Sequence, residues 1–209
     1  MFSVLLLMGG NSTRMKLNQN KVLLELNGKR IYQYSLDIFK KYDCEIICVI
    51  NKNDESILKD ELKNIKYTYG GSTRSESVKN GLKLVNTEYV LIHDAARPLI
   101  DNNLMDEIIK NIDLNSCILT YSPVIETIYT KDLIYLDRNN LISAKTPQGA
   151  PTKILKDVYN KDNYNFSDDI SLIKNYYPNI NIKLVESNNN IKITTISDLD
   201  IIKGLIKND

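Results

Sequence analysis

The residues best suited to chemistry in this chain are those suited to handling phosphate. A short apolar run, Val4 to Met8, stops at Gly9 and Gly10, and Asn11, Ser12, Arg14 and Lys21 follow. Backbone N–H groups from residues 9–12 can turn toward phosphate oxygens, because glycine allows close approach and turns closed to other residues. Arg14 and Lys21 add two cations. The same residues also fit a plain strand ending in a turn. No Gly-Lys-Ser/Thr follows, which excludes a P-loop, and the absence of Gly-x-Gly-x-x-Gly argues against a dinucleotide site.

A second glycine pair opens the segment Gly70-Gly71-Ser72-Thr73-Arg74-Ser75-Glu76-Ser77-Val78. It reads either as a wall for a base or ribose, or as an ordinary strand-to-helix connection. His93-Asp94-Ala95-Ala96-Arg97-Pro98 is more distinctive. An aspartate closing a strand suits a sugar hydroxyl or a Mg²⁺ ion, the small residues leave room, and Arg97 can hold a phosphate. His93 is the only histidine, and a packing or hydrogen-bonding role fits it better than catalysis. A Ser–His–Asp hydrolase is thereby disfavoured, and no serine stands in a nucleophile elbow. Asp137-Arg138 and Thr146-Pro147-Gln148 bracket an extended stretch, in which Arg138 could bind an anion and Thr146 offers a hydroxyl. Lys192 lies between Ile191 and Ile193, pointing away from both if the segment is a strand; a solvated lysine fits equally. Arginine is scarce: Arg14, Arg30, Arg74, Arg97 and Arg138 are all there are, and four of them fall in these segments. In a lysine-rich chain, arginine marks places that need a planar, bidentate cation.

Alternating strand and helix patterns must position these groups. Strands are expected at 3–8, 45–50, 66–69, 89–93, 117–124 and 181–186, with a short one at 191–194. Helices are expected at 30–41, 54–63, from Thr73 onward, 103–112, 151–160, 167–177 and from Ser197. Thr73-Arg-Ser-Glu76 has the form of a capping box. Such alternation predicts a three-layer α/β domain with a mostly parallel sheet, whose ligands bind beyond the carboxyl ends of the strands. Residues 125–143 alternate polar and apolar and predict a β-arm projecting from that sheet. No internal repeat or domain boundary interrupts the 209 residues, so a single domain is expected.

Composition narrows the partners. With 27 basic and 26 acidic residues, nothing marks a nucleic-acid footprint. Apolar runs are too short to span a bilayer, and no basic segment precedes the first of them, so neither a membrane span nor a signal peptide is expected. Cys44, Cys48 and Cys117 lack metal-ligand spacing and read as reduced thiols of a cytoplasmic protein.

Taken in order, these motifs resemble the 2-C-methyl-D-erythritol 4-phosphate cytidylyltransferase family. The resemblance rests on Gly-Gly-x-x-x-Arg-Met with Lys21 downstream, residues 70–82, His-Asp-Ala-Ala-Arg-Pro, Asp-Arg-x-x-Leu at 137–141, Thr-Pro-Gln at 146–148 and Asn-Ile-Lys-Ile-Thr at 190–194. It implies a Rossmann-like nucleotidyltransferase fold, a homodimer joined by the β-arm, and Mg²⁺-assisted transfer of CMP from CTP to a polyol phosphate. By motif, it implies that Arg14, Lys21 and Lys192 surround the phosphates. Gly9, Gly10, Gly71, Ser72 and Ser77 would bind the nucleotide. Asp94 would meet sugar hydroxyls or the metal. Arg97, Thr127, Arg138 and Thr146 would bind the second substrate, with Thr127 and Arg138 coming from the partner's arm. Ribitol-5-phosphate cytidylyltransferases share fold and chemistry; Ala95-Ala96, Ser77-Val78 and Leu141 favour the erythritol enzyme. A non-catalytic nucleotide-binding regulator is the reading from another class, and Arg14, Lys21, Asp94 and Lys192 argue against it. The family pattern has alanines at Met8-Gly9, a glycine at Ser12, a proline at Asn20 and Arg-Asp at Ile125-Glu126. With Asn20 in place of proline, Lys21 is expected on a less constrained loop.

Overall fold

The computed structural model describes residues 1–10, 19–161 and 166–206. Its frame is a seven-stranded sheet, built from elements whose composition already commits them to burial on both faces. The strand β1 (Phe2–Leu7) and its neighbour β6 (Tyr89–Asp94) are almost wholly apolar and almost wholly buried. Such runs suit the interior of a parallel sheet covered on both sides. Between and around them, in chain order, come β2 (Glu25–Leu26), β3 (Lys29–Arg30), α1 (Ile31–Phe39), β4 (Cys44–Ile50), α2 (Glu55–Glu61), β5 (Lys66–Tyr69) and α3 (Arg74–Leu82). After β6 follow α4 (Asn102–Asn111), β7 (Ser116–Pro123), β8 (Ile128–Tyr129), β9 (Tyr135–Leu136), β10 (Ile142–Pro151), α5 (Thr152–Val158), α6 (Asp169–Tyr176), β11 (Asn181–Glu186) and α7 (Ile196–Leu205).

The strand order is β11-β7-β10-β6-β1-β4-β5. β10 runs antiparallel to both neighbours, and every other pairing in the sheet is parallel. Successive residues of a strand face opposite sides, and the two cores follow that parity. Val4, Leu6 and Met8 pack with α1, α2 and α4, through Leu36, Phe39, Leu58, Leu104 and Ile108. Leu5, Val90 and Ile92 pack on the other face with α3, α5 and α6, through Val78, Leu82, Leu155, Val158 and Ile173. The three layers and mostly parallel sheet expected from the alternation are present. α7 closes a smaller cluster with Leu26, Ile31 and Ile193.

Two local expectations change, and the arm takes a definite form. The long strand β10 was legible only as an extended stretch around Thr146-Pro147. It fills the sheet between β6 and β7, with a cis Thr146–Pro147 peptide and a register shift between Ala144 and Gln148. Residues 191–194 form no strand; Ile193 N–H instead bonds to Ala96 O at 2.9 Å, which lays the segment against the loop after β6. The arm is a minimal hairpin in which Ile128 pairs with Leu136 and Tyr129 with Tyr135. The two tyrosine rings meet edge to face at 5.9 Å.

Candidate active site

β1, β4 and β6 all end on one edge of the sheet, and their exits are laced together. Ala95 N–H donates to Leu7 O at 3.0 Å and Met8 N–H to Val49 O at 2.8 Å. This fixes the Met8-Gly9-Gly10 exit beside Asp94. Among the described residues, nothing lies within 4 Å of where a Cβ on Gly10 would stand.

Asp94 is the centre of the site. Its Oδ2 accepts from Lys192 Nζ at 2.6 Å and its Oδ1 from Arg74 Nε at 3.2 Å. Burial pushes this carboxyl up, but the charges of Arg74 and Lys192 overcome that and hold it well below the usual carboxylate range. Arg74 also grips Asp169, with Nη1 to Oδ1 at 3.1 Å and Nη2 to Oδ2 at 2.7 Å. Asp169 takes a further bond from Tyr159 Oη at 2.6 Å. Its segment is tied to β10, since Gln148 Oε1 accepts from the backbone N–H of both Asp169 and Ile170 at 3.1 Å. Burial lowers the affinity of Arg74 for its proton, but the two aspartates outweigh it and keep the guanidinium charged.

His93 lies fully buried behind Asp94, edge to face with Phe39. Its Nε2 is 3.1 Å from Arg97 O, which can only accept, so Nε2 carries the proton. Nδ1 is then free to accept from Thr146 Oγ1 at 3.2 Å, and that hydroxyl accepts from Asp94 N–H at 3.1 Å. The neutral ring thus satisfies a chain of bonds from Asp94 to Arg97. Burial is the main reason its pKa is pushed down to about 4. Arg97 Nη1 donates to Asn190 O at 2.9 Å, and Asn190 Nδ2 donates to Thr146 O at 2.5 Å. Arg97 Nε and Asn190 Oδ1 are buried with no partner. Two unmatched polar atoms of opposite sense beside a charged cluster fit a site that a polar ligand completes.

The fold therefore brings Asp94 and Arg97, Thr146 and Lys192 together from three distant stretches of chain. Arg14 and Ser12 lie outside the described residues. Lys21 opens a 3-10 turn, Lys21–Leu23, capped by Asn20. That cap corrects the expectation of a looser loop: Asn20 is buried and bonded to Met8 O and Asp54. Gly71 and Ser72 precede Thr73, the N-cap of α3, and are held by side chains of that helix's first turn. Gly71 N–H donates to Ser77 Oγ at 3.1 Å and Ser72 N–H to Glu76 Oε2 at 2.6 Å. A Cβ on Gly71 would stand 2.3 Å from Glu76 Cβ, so this glycine is required by the turn itself. Thr127 and Arg138 share a cavity of about 290 Å³ on the arm with Tyr135, Asp137 and Asn139. Arg138 donates to Ile125 O, and neither residue is bonded to the Asp94 cluster among the described residues. Sequence reasoning assigned no role to Asp169 or Tyr159, and took Asn190 only as the first residue of the 190–194 motif. The scarcity of arginine did point to Arg74, and Asp169 is its partner.

A cation-flanked aspartate at the carboxyl edge of a three-layer, mostly parallel sheet, with the buried Arg97 close by, fits a nucleotidyltransferase of the α/β class. Comparison with known proteins narrows the class. Residues 2–208 match the family model IspD, 2-C-methyl-D-erythritol 4-phosphate cytidylyltransferase. A protein of that description from Clostridioides difficile is 34% identical over 224 residues, covering 99% of this chain and 94% of its own. The crystal structure of 4-diphosphocytidyl-2C-methyl-D-erythritol synthase from Anaerococcus prevotii superposes with a TM-score of 0.87 at 27% identity, covering 99% of this chain and 96% of that one. The bifunctional IspDF from Campylobacter jejuni superposes with a TM-score of 0.86 at 32% identity over 95% of this chain. This chain spans 53% of that larger protein. The chain belongs to the 2-C-methyl-D-erythritol 4-phosphate cytidylyltransferase family.

Proposed function

We propose that the protein transfers CMP from CTP to the phosphate of 2-C-methyl-D-erythritol 4-phosphate, releasing pyrophosphate. The observation that carries this reading is the Asp94 cluster, where Lys192 and Arg74 flank one carboxylate beside the exit of β1. The substrate phosphate is already an anion and a nucleophile at neutral pH, so no strong general base is required. One of its oxygens attacks the α-phosphorus; the new P–O bond forms as the bond to the pyrophosphate oxygen breaks. The difficulty lies in bringing two anions together and stabilising a five-coordinate phosphorus, which is work for fixed cations and orientation. Lys192, Lys21 and Arg14 supply those cations. Gly9 and Gly10 admit the triphosphate, and the turn at Gly71, Ser72 and Ser77 borders the base. Arg97, Thr146 and, from a partner's arm, Thr127 and Arg138 hold the polyol phosphate.

Mg²⁺ prefers one or two carboxylates together with substrate phosphates, and Asp94 fits as that carboxylate. When bound, the ion neutralises charge on the triphosphate. Asp94 would hold the ion together with phosphates of the nucleotide; no cluster of three or more acidic, histidine or cysteine side chains is present among the described residues. The arm exposes Ile125, Tyr129, Leu133, Ile134 and Tyr135, an apolar surface that supports a homodimer through this hairpin. Free Cys44, Cys48 and Cys117 support a reducing, cytoplasmic setting. No helix among the described residues is long and apolar enough to cross a membrane.

Pyrophosphate release from CTP, measured with 2-C-methyl-D-erythritol 4-phosphate and with ribitol 5-phosphate, tests the reading. A clear preference for the methylerythritol substrate is expected. Preference for ribitol 5-phosphate would overturn the substrate assignment, and nucleotide binding without turnover would overturn catalysis altogether.

A further inference from the structure

Lys21, read above as a phosphate cation, opens a 3-10 turn whose N-cap is the side chain of Asn20. This asparagine is 7% exposed, and both polar atoms of its side chain are bonded. Its Nδ2 donates to Met8 O at 2.6 Å and to Asp54 Oδ2 at 2.8 Å. Its Oδ1 accepts from Val22 N–H at 3.3 Å, and its own carbonyl accepts from Leu23 N–H at 3.0 Å. Met8 immediately precedes Gly9 and Gly10. The Asn20–Met8 bond therefore joins the two ends of the segment that carries Arg14, closing its base. Asp54 is itself buried, at the junction of the Lys52–Asp54 turn with α2, and Asp54 N–H is held by Asn51 O at 3.0 Å. A bond between a neutral amide and a buried carboxylate is of the stronger, charge-assisted kind. Elsewhere the chain's asparagines mostly sit at the surface; here one is buried with an acid, at the residue preceding a proposed catalytic cation.

We propose that Asn20, braced by Asp54, is a positioning residue for CMP transfer: it clips the base of the first loop and sets where the Lys21 ammonium meets the triphosphate. The proposal rests on reading Lys21 as a phosphate cation. It requires that loss of the Asn20 donor act through Lys21, lowering turnover more than substrate binding. Misplacing a catalytic group by about 1 Å can cost about 100-fold in rate.

The test is a set of variants assayed for kcat and for KM of each substrate, with melting curves to verify folding: Asn20→Ala, Asn20→Asp, Asp54→Ala, Lys21→Ala, and Asn20→Ala with Lys21→Ala. Asn20→Asp keeps the size and the acceptor for Val22 N–H. It removes both donated bonds and faces Asp54 with a second carboxylate. In Asn20→Ala and Asn20→Asp, kcat is expected to fall about 10- to 100-fold, with KM for the polyol phosphate within about twofold. Asp54→Ala is expected to lose less, because the bond to Met8 remains. In the double variant, loss of Asn20 is expected to add little to loss of Lys21, as for residues acting as one unit. Full activity in Lys21→Ala would refute the reading of Lys21. Collapse in Lys21→Ala with wild-type kcat in Asn20→Asp would overturn the positioning role while leaving Lys21 in place. A double variant that multiplies the two separate losses would also overturn it, since Asn20 would then act elsewhere.

Discussion

His93 makes the most quantitative test of the structure. The ring is wholly buried and neutral, with its Nε2 proton committed to Arg97 O and its Nδ1 accepting from Thr146. A second proton on Nδ1 would strip the Thr146 hydroxyl of its acceptor and place a charge in the core. The pKa is accordingly pushed from 6.5 down to about 4, burial being the leading cause. The sign follows from proton counting. Between about pH 4 and about 6.5 the unfolded chain holds a proton on this residue and the folded chain does not, so stability rises with pH across that window. As the solution is acidified from about pH 7 to about pH 4.5, this one group should remove roughly 2 to 3 kcal/mol of folding free energy. Urea denaturation at both pH values checks this, comparing the wild type with His93→Gln. The variant should be less stable near neutrality but lose roughly 2 to 3 kcal/mol less on acidification. Because His93 is the only histidine, its imidazole resonances can also be followed by NMR without overlap. A folded-state titration at pH 6 to 7, or equal acid sensitivity in the two proteins, would refute the buried neutral ring and the bond chain built on it.

Other substitutions probe the site and its supports. Lys192→Ala should leave Asp94 paired with Arg74 and the fold intact, while kcat falls on the order of 10²- to 10³-fold by pyrophosphate-release assay; near-wild-type turnover would remove Lys192 from the mechanism. Arg74→Met strands the Asp169 carboxylate, 1% exposed, and should cost about 3 kcal/mol by urea midpoint, with part recovered by adding Asp169→Asn. Gly149→Ala puts a Cβ 2.7 Å from Leu91 Cδ2 and 2.9 Å from Tyr89 Cε1, both in the packed core. Its melting temperature should drop in line with about 1–3 kcal/mol. Gly204→Ala meets nothing within 4 Å inside α7 and should be neutral or stabilising by up to about 1 kcal/mol.

Much of this molecule could be read from the chain. Apolar runs and helical periodicity placed the layers because burial acts on each residue's own side chain and leaves its mark locally. The motifs named candidate site residues for a similar reason, since a phosphate site is expected to need glycines, cations and a strand-ending aspartate. Local pattern failed where partners are distant. β10 has a polar, proline-interrupted sequence and becomes a sheet strand because β6 and β7 present open edges on either side of it. Segment 191–194 alternates like a strand, yet it finds Ala96 O and the Leu26 cluster in place of a neighbouring strand.

The amino-acid sequence by itself thus determined the class of the chain, its layers and the types of residue that handle phosphate. Only the tertiary structure decided how those residues are charged and held. Asp94 is ionised because Arg74 and Lys192, 20 and 98 positions away, converge on it. Asn20, which in sequence looks like a weakening of the first loop, becomes its clip because folding buries it against Met8 and Asp54. Electrostatic and hydrogen-bond energies depend on distance and burial, and neither is a property of a residue until the chain has closed around it.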